Sequence, residues 1–223
     1  GYDGSRFALD RFNDEYFRRL DTFLAETAKR GIVVQLTLWD QHDTTGEKWE
    51  SHYWNPDNNA IGLRGSRLYE ANDLYAVVAR RNALVLPYQT KLVDRILDST
   101  LAWDHVLYNI TNEGWAGIEW ELHWARRVHY RAGRAGKRVY VTTMEHGAEM
   151  SVDAVIEHPD VFDYFEISQA NNASTGYGGR DHYEYLLRLR EKASFAGIDR
   201  PFVSEKIYGS DETRKSAFGP ADE

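Results

Sequence analysis

Carboxylate side chains stand at the ends of two apolar runs of this sequence, where they could take part in acid–base chemistry. Glu113 closes HVLYNITNE, residues 105–113, and Glu205 closes PFVSE, residues 201–205. Two carboxyl groups that face each other across a cleft can cleave a glycosidic bond, because one protonates the leaving oxygen while the other attacks the anomeric carbon or activates water. Glu113 and Glu205 are therefore candidates for a catalytic pair, although either could instead form a salt bridge or interact with a helix N-terminus.

Further polar and aromatic side chains lie at or near the ends of the predicted strands, where a ligand could contact them. Glu145 and Glu166 are rival carboxylates that would either contact the substrate or support the acid. His42 and His146 could bind a metal ion with Asp40 or Asp43, but no HxH or HExxH pattern is present, so a hydrogen bond to substrate or to a carboxylate is favoured over a metal site. Each tryptophan could pack in a loop or the core instead of binding a sugar ring. The candidate substrate-binding residues are Trp39, Asp40, His42, Trp54, Asn112, Trp115, Glu145, His146, Gln169, Lys206 and Tyr208.

Helices and strands that alternate along the chain must position these residues. Apolar residues recur with helical spacing over residues 14–29, and Asn13 is a good N-cap for that helix. Residues 40–64 are predicted to be one long loop. The alternation predicts an α/β fold with a parallel sheet, either open and doubly wound or closed into a barrel. The predicted strands are residues 32–39, 105–113, 138–144, 162–168 and 201–205, and the other predicted helices are residues 87–102, 117–132, 152–157 and 181–197.

The composition argues against several classes of protein. A chain of 223 residues is expected to form a single domain. The net charge of −8 argues against a nucleic-acid partner, because phosphate binding needs clustered lysine and arginine. No apolar run reaches about 18 residues, so no membrane partner is predicted. The chain has no cysteine, which excludes disulfides and thiol chemistry. The sequence predicts no particular oligomeric state.

Four segments together resemble glycoside hydrolase clan A, the (β/α)8 superfamily that includes cellulases and mannanases. They are GIVVQLTLWD at residues 31–40, WNPDNN at 54–59, VLYNITNEGW at 106–115 and RPFVSEKIYG at 200–209. The resemblance implies that Glu113 is the general acid/base and Glu205 the nucleophile of a retaining mechanism that needs no metal or organic cofactor. It also implies that Asn112 binds the hydroxyl next to the anomeric centre of a poly- or oligosaccharide.

The resemblance also implies a fold and a location. Residues 1–223 would form a single partial catalytic domain, an incomplete (β/α)8 TIM barrel that covers strands 3 to 7, with strands 1, 2 and 8 outside this chain. The protein would be secreted or periplasmic. Two alternatives stay open: a carbohydrate-binding barrel without turnover, and a metal-dependent hydrolase on the same fold.

Overall fold

The computed structural model describes residues 2, 4–172 and 179–206, with the side chains of residues 171, 172 and 179–182 excepted. The described residues form a small α/β fold with two parallel sheets. The first sheet has the order β1 (Val34–Asp40), β2 (Val106–Asn112), β3 (Val141–Thr142), and in the second β4 (Phe165–Glu166) pairs with β5 (Phe202–Val203). The α-helices of the described residues are α1 Asp14–Lys29, α2 Lys48–Ser51, α3 Ala71–Tyr75, α4 Leu86–Thr100, α5 Ile118–Arg134, α6 Ala148–Glu157 and α7 Gly179–Phe195.

The predicted incomplete (β/α)8 TIM barrel is wrong, since the described residues form two separate parallel sheets and no barrel. Side chains explain why the first sheet stops at β3. The N–H of Val141 donates to the Asp163 carboxylate at 2.9 Å, and the Thr142 hydroxyl donates to the Tyr164 carbonyl at 2.6 Å. One backbone bond, from the Asp163 N–H to the Val141 carbonyl at 2.7 Å, still joins the two segments, but these side chains occupy backbone groups that further ladder bonds would use.

The boundaries of α1 and β1 illustrate what the pattern predicts well and where it errs. The helix at Asp14–Lys29 is confirmed, and the Asn13 side chain caps it by accepting the N–H groups of Glu15 and Tyr16. β1 starts two residues later than predicted. Its pairing with β2 begins at Val34, and the apolar residues 32 and 33 before it remain exposed.

The predicted loop at residues 40–64 contains α2 and two short 3-10 helices, His42–Thr44 and Pro56–Asn58. Asparagine side chains order this segment through bonds to its backbone. The Asn55 amide donates to the Trp49 carbonyl at 3.0 Å, and the Asn59 amide donates to the Tyr53 carbonyl at 3.1 Å. Such local side-chain bonds replace regular secondary structure, so the sequence shows no periodicity there.

A cluster of aromatic rings forms the core between β1 and α5. Trp39 at the end of β1 has its ring centroid 5.3 Å from Trp120 and 5.2 Å from Trp124, both on α5. Trp54 joins the cluster at 6.3 Å from Trp39. Aromatic pairs at these spacings contribute stability in addition to that gained from burying their surface. The cluster fixes the end of β1 against α5.

None of the helices in the described ranges is long and apolar enough to cross a membrane.

Candidate active site

Glu113 lies in a strained turn directly after β2. Its φ is +52°, in the left-handed region that glutamate rarely adopts. Strain of this kind costs about 1–3 kcal/mol and persists where the surrounding structure imposes it. In this turn the Gly114 N–H donates to the Met144 carbonyl at 2.8 Å, and the Gly114 carbonyl accepts the His146 N–H at 2.7 Å. The turn is therefore tied to the segment that follows β3.

Two further features constrain the same turn. A Cβ on Gly114 would lie 3.1 Å from Oε1 of Glu121, so a side chain at this position would crowd that carboxyl group. On the opposite side, Oε1 of Gln41 accepts the Trp115 N–H at 2.8 Å. The segments after β1 and β3 thus fix the backbone that carries Glu113.

The Glu113 carboxylate forms an ion pair with Lys206. The Lys206 Nζ lies 2.5 Å from Oε1 of Glu113, and the two side chains are 19% and 15% exposed. Burial by itself would raise the pKa of Glu113, but the Lys206 ammonium and the Gln169 amide outweigh it and lower the pKa below the usual value for glutamate. Glu113 is therefore held in its ionised form in this arrangement.

The Glu205 carboxyl is in the opposite electrostatic situation. Glu205 is exposed as a residue, but partial desolvation of its carboxyl group raises the pKa, and the Gln35 amide and the Lys206 ammonium offset only part of that rise. The Tyr164 hydroxyl orients the Gln35 amide by donating to its Oε1 at 2.6 Å. In this arrangement Glu205 is shifted toward its protonated form and Glu113 toward its ionised form.

Asp40 and Asn112 end neighbouring strands side by side. The parallel register pairs them, and Nδ2 of Asn112 donates to Oδ1 of Asp40 at 3.0 Å. A cavity of about 320 Å³ opens beside Asp40, which is within the usual size range of small-molecule sites. Burial lowers the pKa of His52, which lines this cavity, to about 4, so its imidazole is neutral at neutral pH. Aspartate oxygens and aromatic rings are thus both available to a hydroxylated ligand there.

The structure brings most of the predicted site residues to Glu113, but not all of them. Trp115 is 40% exposed, and its ring packs edge-to-face against His146 at 5.2 Å. Trp39 and Trp54 are buried in the aromatic core. Tyr208 lies outside the described residues. The predicted residues placed around Glu113 are Asp40, His42, Asn112, Trp115, His146, Gln169 and Lys206.

Glu121 and Glu145 form a buried carboxyl pair behind the Glu113 turn, and the sequence pattern did not single out Glu121. Their residues are 0% and 5% exposed. Burial raises the pKa of both, and the charge of Glu145 raises the pKa of Glu121 further. The Thr143 hydroxyl donates to Oε2 of Glu121 at 2.6 Å. A signal was available, because Glu121 interrupts an otherwise apolar helix face that includes Trp124, Ala125 and Val128.

Within residues 2, 4–172 and 179–206, no three histidine, aspartate or glutamate side chains gather closely enough to hold a metal ion. No protein-family model matches the chain, and no curated protein matches it. The resemblance to glycoside hydrolase clan A therefore rests only on the four sequence segments named above.

Lys206→Met is expected to raise the pKa of Glu113, because it removes the ammonium that favours the ionised carboxylate. The measurement is a pH titration of the Glu113 side-chain carboxyl by ¹³C NMR, with Glu113→Gln identifying the resonance. Lys192→Met removes a surface lysine whose partner is Asp153, at 2.6 Å, and should leave the Glu113 titration unchanged. An unchanged Glu113 pKa in Lys206→Met would contradict the ion pair.

Proposed function

We propose that this protein hydrolyses O-glycosidic bonds in a poly- or oligosaccharide through Glu113 and Glu205. One observation carries the proposal: Lys206, the residue next to Glu205, bonds to Glu113 across 93 positions of sequence. This bond brings the chain that follows β5 to Glu113, and the pKa values of Glu113 and Glu205 are shifted in opposite directions. A difference in pKa between two carboxyl groups of one site supports a division into proton donor and ionised partner, and with Lys206 on Glu113 it is Glu113 that is ionised.

We assign Glu113 as acid/base and Glu205 as nucleophile, in line with the resemblance. These roles require Glu113 to hold a proton and Glu205 to be ionised before attack. If the Lys206 side chain moved so that its ammonium faced Glu205 instead of Glu113, the pKa of Glu113 would rise and that of Glu205 would fall, as these roles require. The reason is that a positive charge stabilises the ionised form of the carboxylate that it faces. In the first step the Glu205 carboxylate attacks the anomeric carbon while Glu113 protonates the departing oxygen. In the second, Glu113 removes a proton from the water that releases the sugar.

The remaining residues around Glu113 suit recognition of a sugar. Asn112 and Asp40 offer an amide and a carboxylate at the strand ends, and these groups bond hydroxyls. The exposed ring of Trp115 offers an apolar face beside them.

Glu113→Gln tests the acid role through its dependence on the leaving group. For phenyl glycosides, whose leaving oxygen needs protonation, we expect the rate to fall by about 10²–10⁴-fold. For 2,4-dinitrophenyl glycosides, which leave without a proton, we expect formation of the glycosyl-enzyme to be nearly unchanged. The substrates are panels of aryl glycosides of common hexoses and pentoses, and release of the phenol is followed by absorbance.

Glu119→Gln, which changes an exposed glutamate at the start of α5, is the matched control and should keep the activity of the unmodified protein. Equal losses for both leaving groups would remove Glu113 from the acid role. Sugar binding without turnover, unaffected by Glu113→Gln, would replace the hydrolase with a binding protein.

A further inference from the structure

Ser168 lies two residues after the end of β4, and its hydroxyl makes every hydrogen bond it can although the residue has no exposed surface. It donates to Oε1 of Glu166, and it accepts the backbone N–H of Glu205 at 2.7 Å and that of Lys206 at 3.2 Å. A hydroxyl has one proton and two lone pairs, so these three bonds use its full capacity.

The bond from Glu205 departs from the regular ladder. The Phe165 N–H donates to the Pro201 carbonyl and the Ile167 N–H to the Val203 carbonyl, both at 2.9 Å, as expected for parallel strands. The next bond of that ladder would join the Glu205 N–H to the Ile167 carbonyl. The Ser168 hydroxyl accepts this N–H instead, so the regular pairing of β5 stops before Glu205 and Lys206.

Glu166 restricts the rotation of the Ser168 hydroxyl. Oε1 of Glu166 accepts the Ser168 N–H at 3.1 Å as well as its hydroxyl proton. With the proton committed to Glu166, the oxygen lone pairs must face away from that carboxyl group, and the N–H groups of Glu205 and Lys206 lie there. Burial raises the pKa of Glu166 to about 7.

We infer that Ser168 is a positioning residue for Glu205 and Lys206, and that Glu166 holds its hydroxyl in the orientation this requires. Neither residue touches the substrate in this role. The inference rests on the proposed function for its effect on catalysis, but the geometry that it describes can be measured without turnover.

Ser168→Ala tests the inference because it removes the acceptor of both N–H groups. We expect kcat to fall by up to about 100-fold with KM little changed, since a displacement of the reacting group near 1 Å can have such an effect. We also expect the side-chain ¹³C titration of Glu205 to shift, with the resonance identified by Glu205→Gln. Ser99→Ala is the matched control, because Ser99 is a buried serine on α4 whose hydroxyl accepts a bond from Arg95.

Glu166→Gln separates the effect of Glu166 on the orientation of the Ser168 hydroxyl from the effect of its charge. Its amide oxygen can still accept the Ser168 hydroxyl proton, so a kcat within about threefold of the unmodified protein supports the inference. A loss as large as that of Ser168→Ala would overturn it and make Glu166 a charged participant. An unchanged Glu205 titration in Ser168→Ala, or losses equal to those of Ser99→Ala, would also overturn it. Absence of turnover in the unmodified protein would refute the proposed hydrolase, while the Glu205 titration would still decide the positioning role.

Discussion

Glu205→Gln is expected to reduce hydrolysis of aryl glycosides by roughly 10⁴-fold or more, because an amide cannot attack the anomeric carbon as the carboxylate does. The Glu113 variant can be bypassed by a good leaving group, but loss of the nucleophile cannot. The 2,4-dinitrophenyl substrates should therefore lose as much activity as the phenyl substrates. This difference separates the roles of the two carboxyl groups.

Covalent trapping measures the same role directly. With a 2-deoxy-2-fluoro glycosyl fluoride, attack by a carboxylate oxygen expels fluoride and leaves an ester of long lifetime. We expect peptide mapping to locate this ester on Glu205. The Glu205→Gln variant should form no ester. Glu191→Gln, at an exposed position of α7, should be trapped at the unmodified rate.

The anomeric configuration of the first product gives an independent result. A retaining reaction releases the product with the configuration of the substrate, and ¹H NMR of the fresh product detects it. An inverted product together with the absence of an ester would change Glu205 from nucleophile to general base.

Glu121→Gln is expected to reduce the loss of stability that the unmodified protein shows as pH rises. Burial and the charge of Glu145 raise the pKa of Glu121 to about 8, far above its value in the unfolded chain. The folded state therefore holds a proton that the unfolded state releases, and the free energy of unfolding falls between about pH 4.5 and pH 8. The total effect should reach a few kcal/mol, because one pKa unit corresponds to about 1.4 kcal/mol.

The glutamine variant should lose less stability across this window, and the fall that remains comes from Glu145 and Glu166, whose pKa values burial also raises to about 7. Urea unfolding at pH 5, 6.5 and 8 provides the free energies. Glu119→Gln, at an exposed position of the same helix, should keep the pH dependence of the unmodified protein. Parallel curves for Glu121→Gln and the unmodified protein would show that the buried pair does not hold the proton.

This buried pair lies directly behind the turn that carries Glu113. Oε1 of Glu121 lies where a side chain on Gly114 would project, and Gly114 pairs with Glu145 through a β-bridge. Ionisation of the pair would place negative charge in a site closed to solvent. The cost of placing this charge out of contact with water is the reason for the large expected effect, and the charge would lie next to the strained turn.

The sequence by itself determined the elements whose signals are local. The spacing of apolar residues and the Asn13 cap define α1, and the strand predicted at residues 105–113 is observed one residue shorter at each end, at Val106–Asn112. The order of helices and strands indicated parallel pairing, which places Asp40 beside Asn112. The ion pair between Glu113 and Lys206 also joins two predicted strand ends, although β2 and β5 belong to different sheets.

Only the tertiary structure decided which groups meet across long distances in sequence. Asp163 and Thr142 bond to backbone groups that a barrel would have paired, and no pattern of hydrophobic residues encodes that choice. Trp39 turned into the core because α5 supplied two aromatic partners for its ring. The pKa values of the Glu113 and Glu205 carboxyl groups depend on burial and on the position of one ammonium group, and these depend on packing that only the folded chain creates.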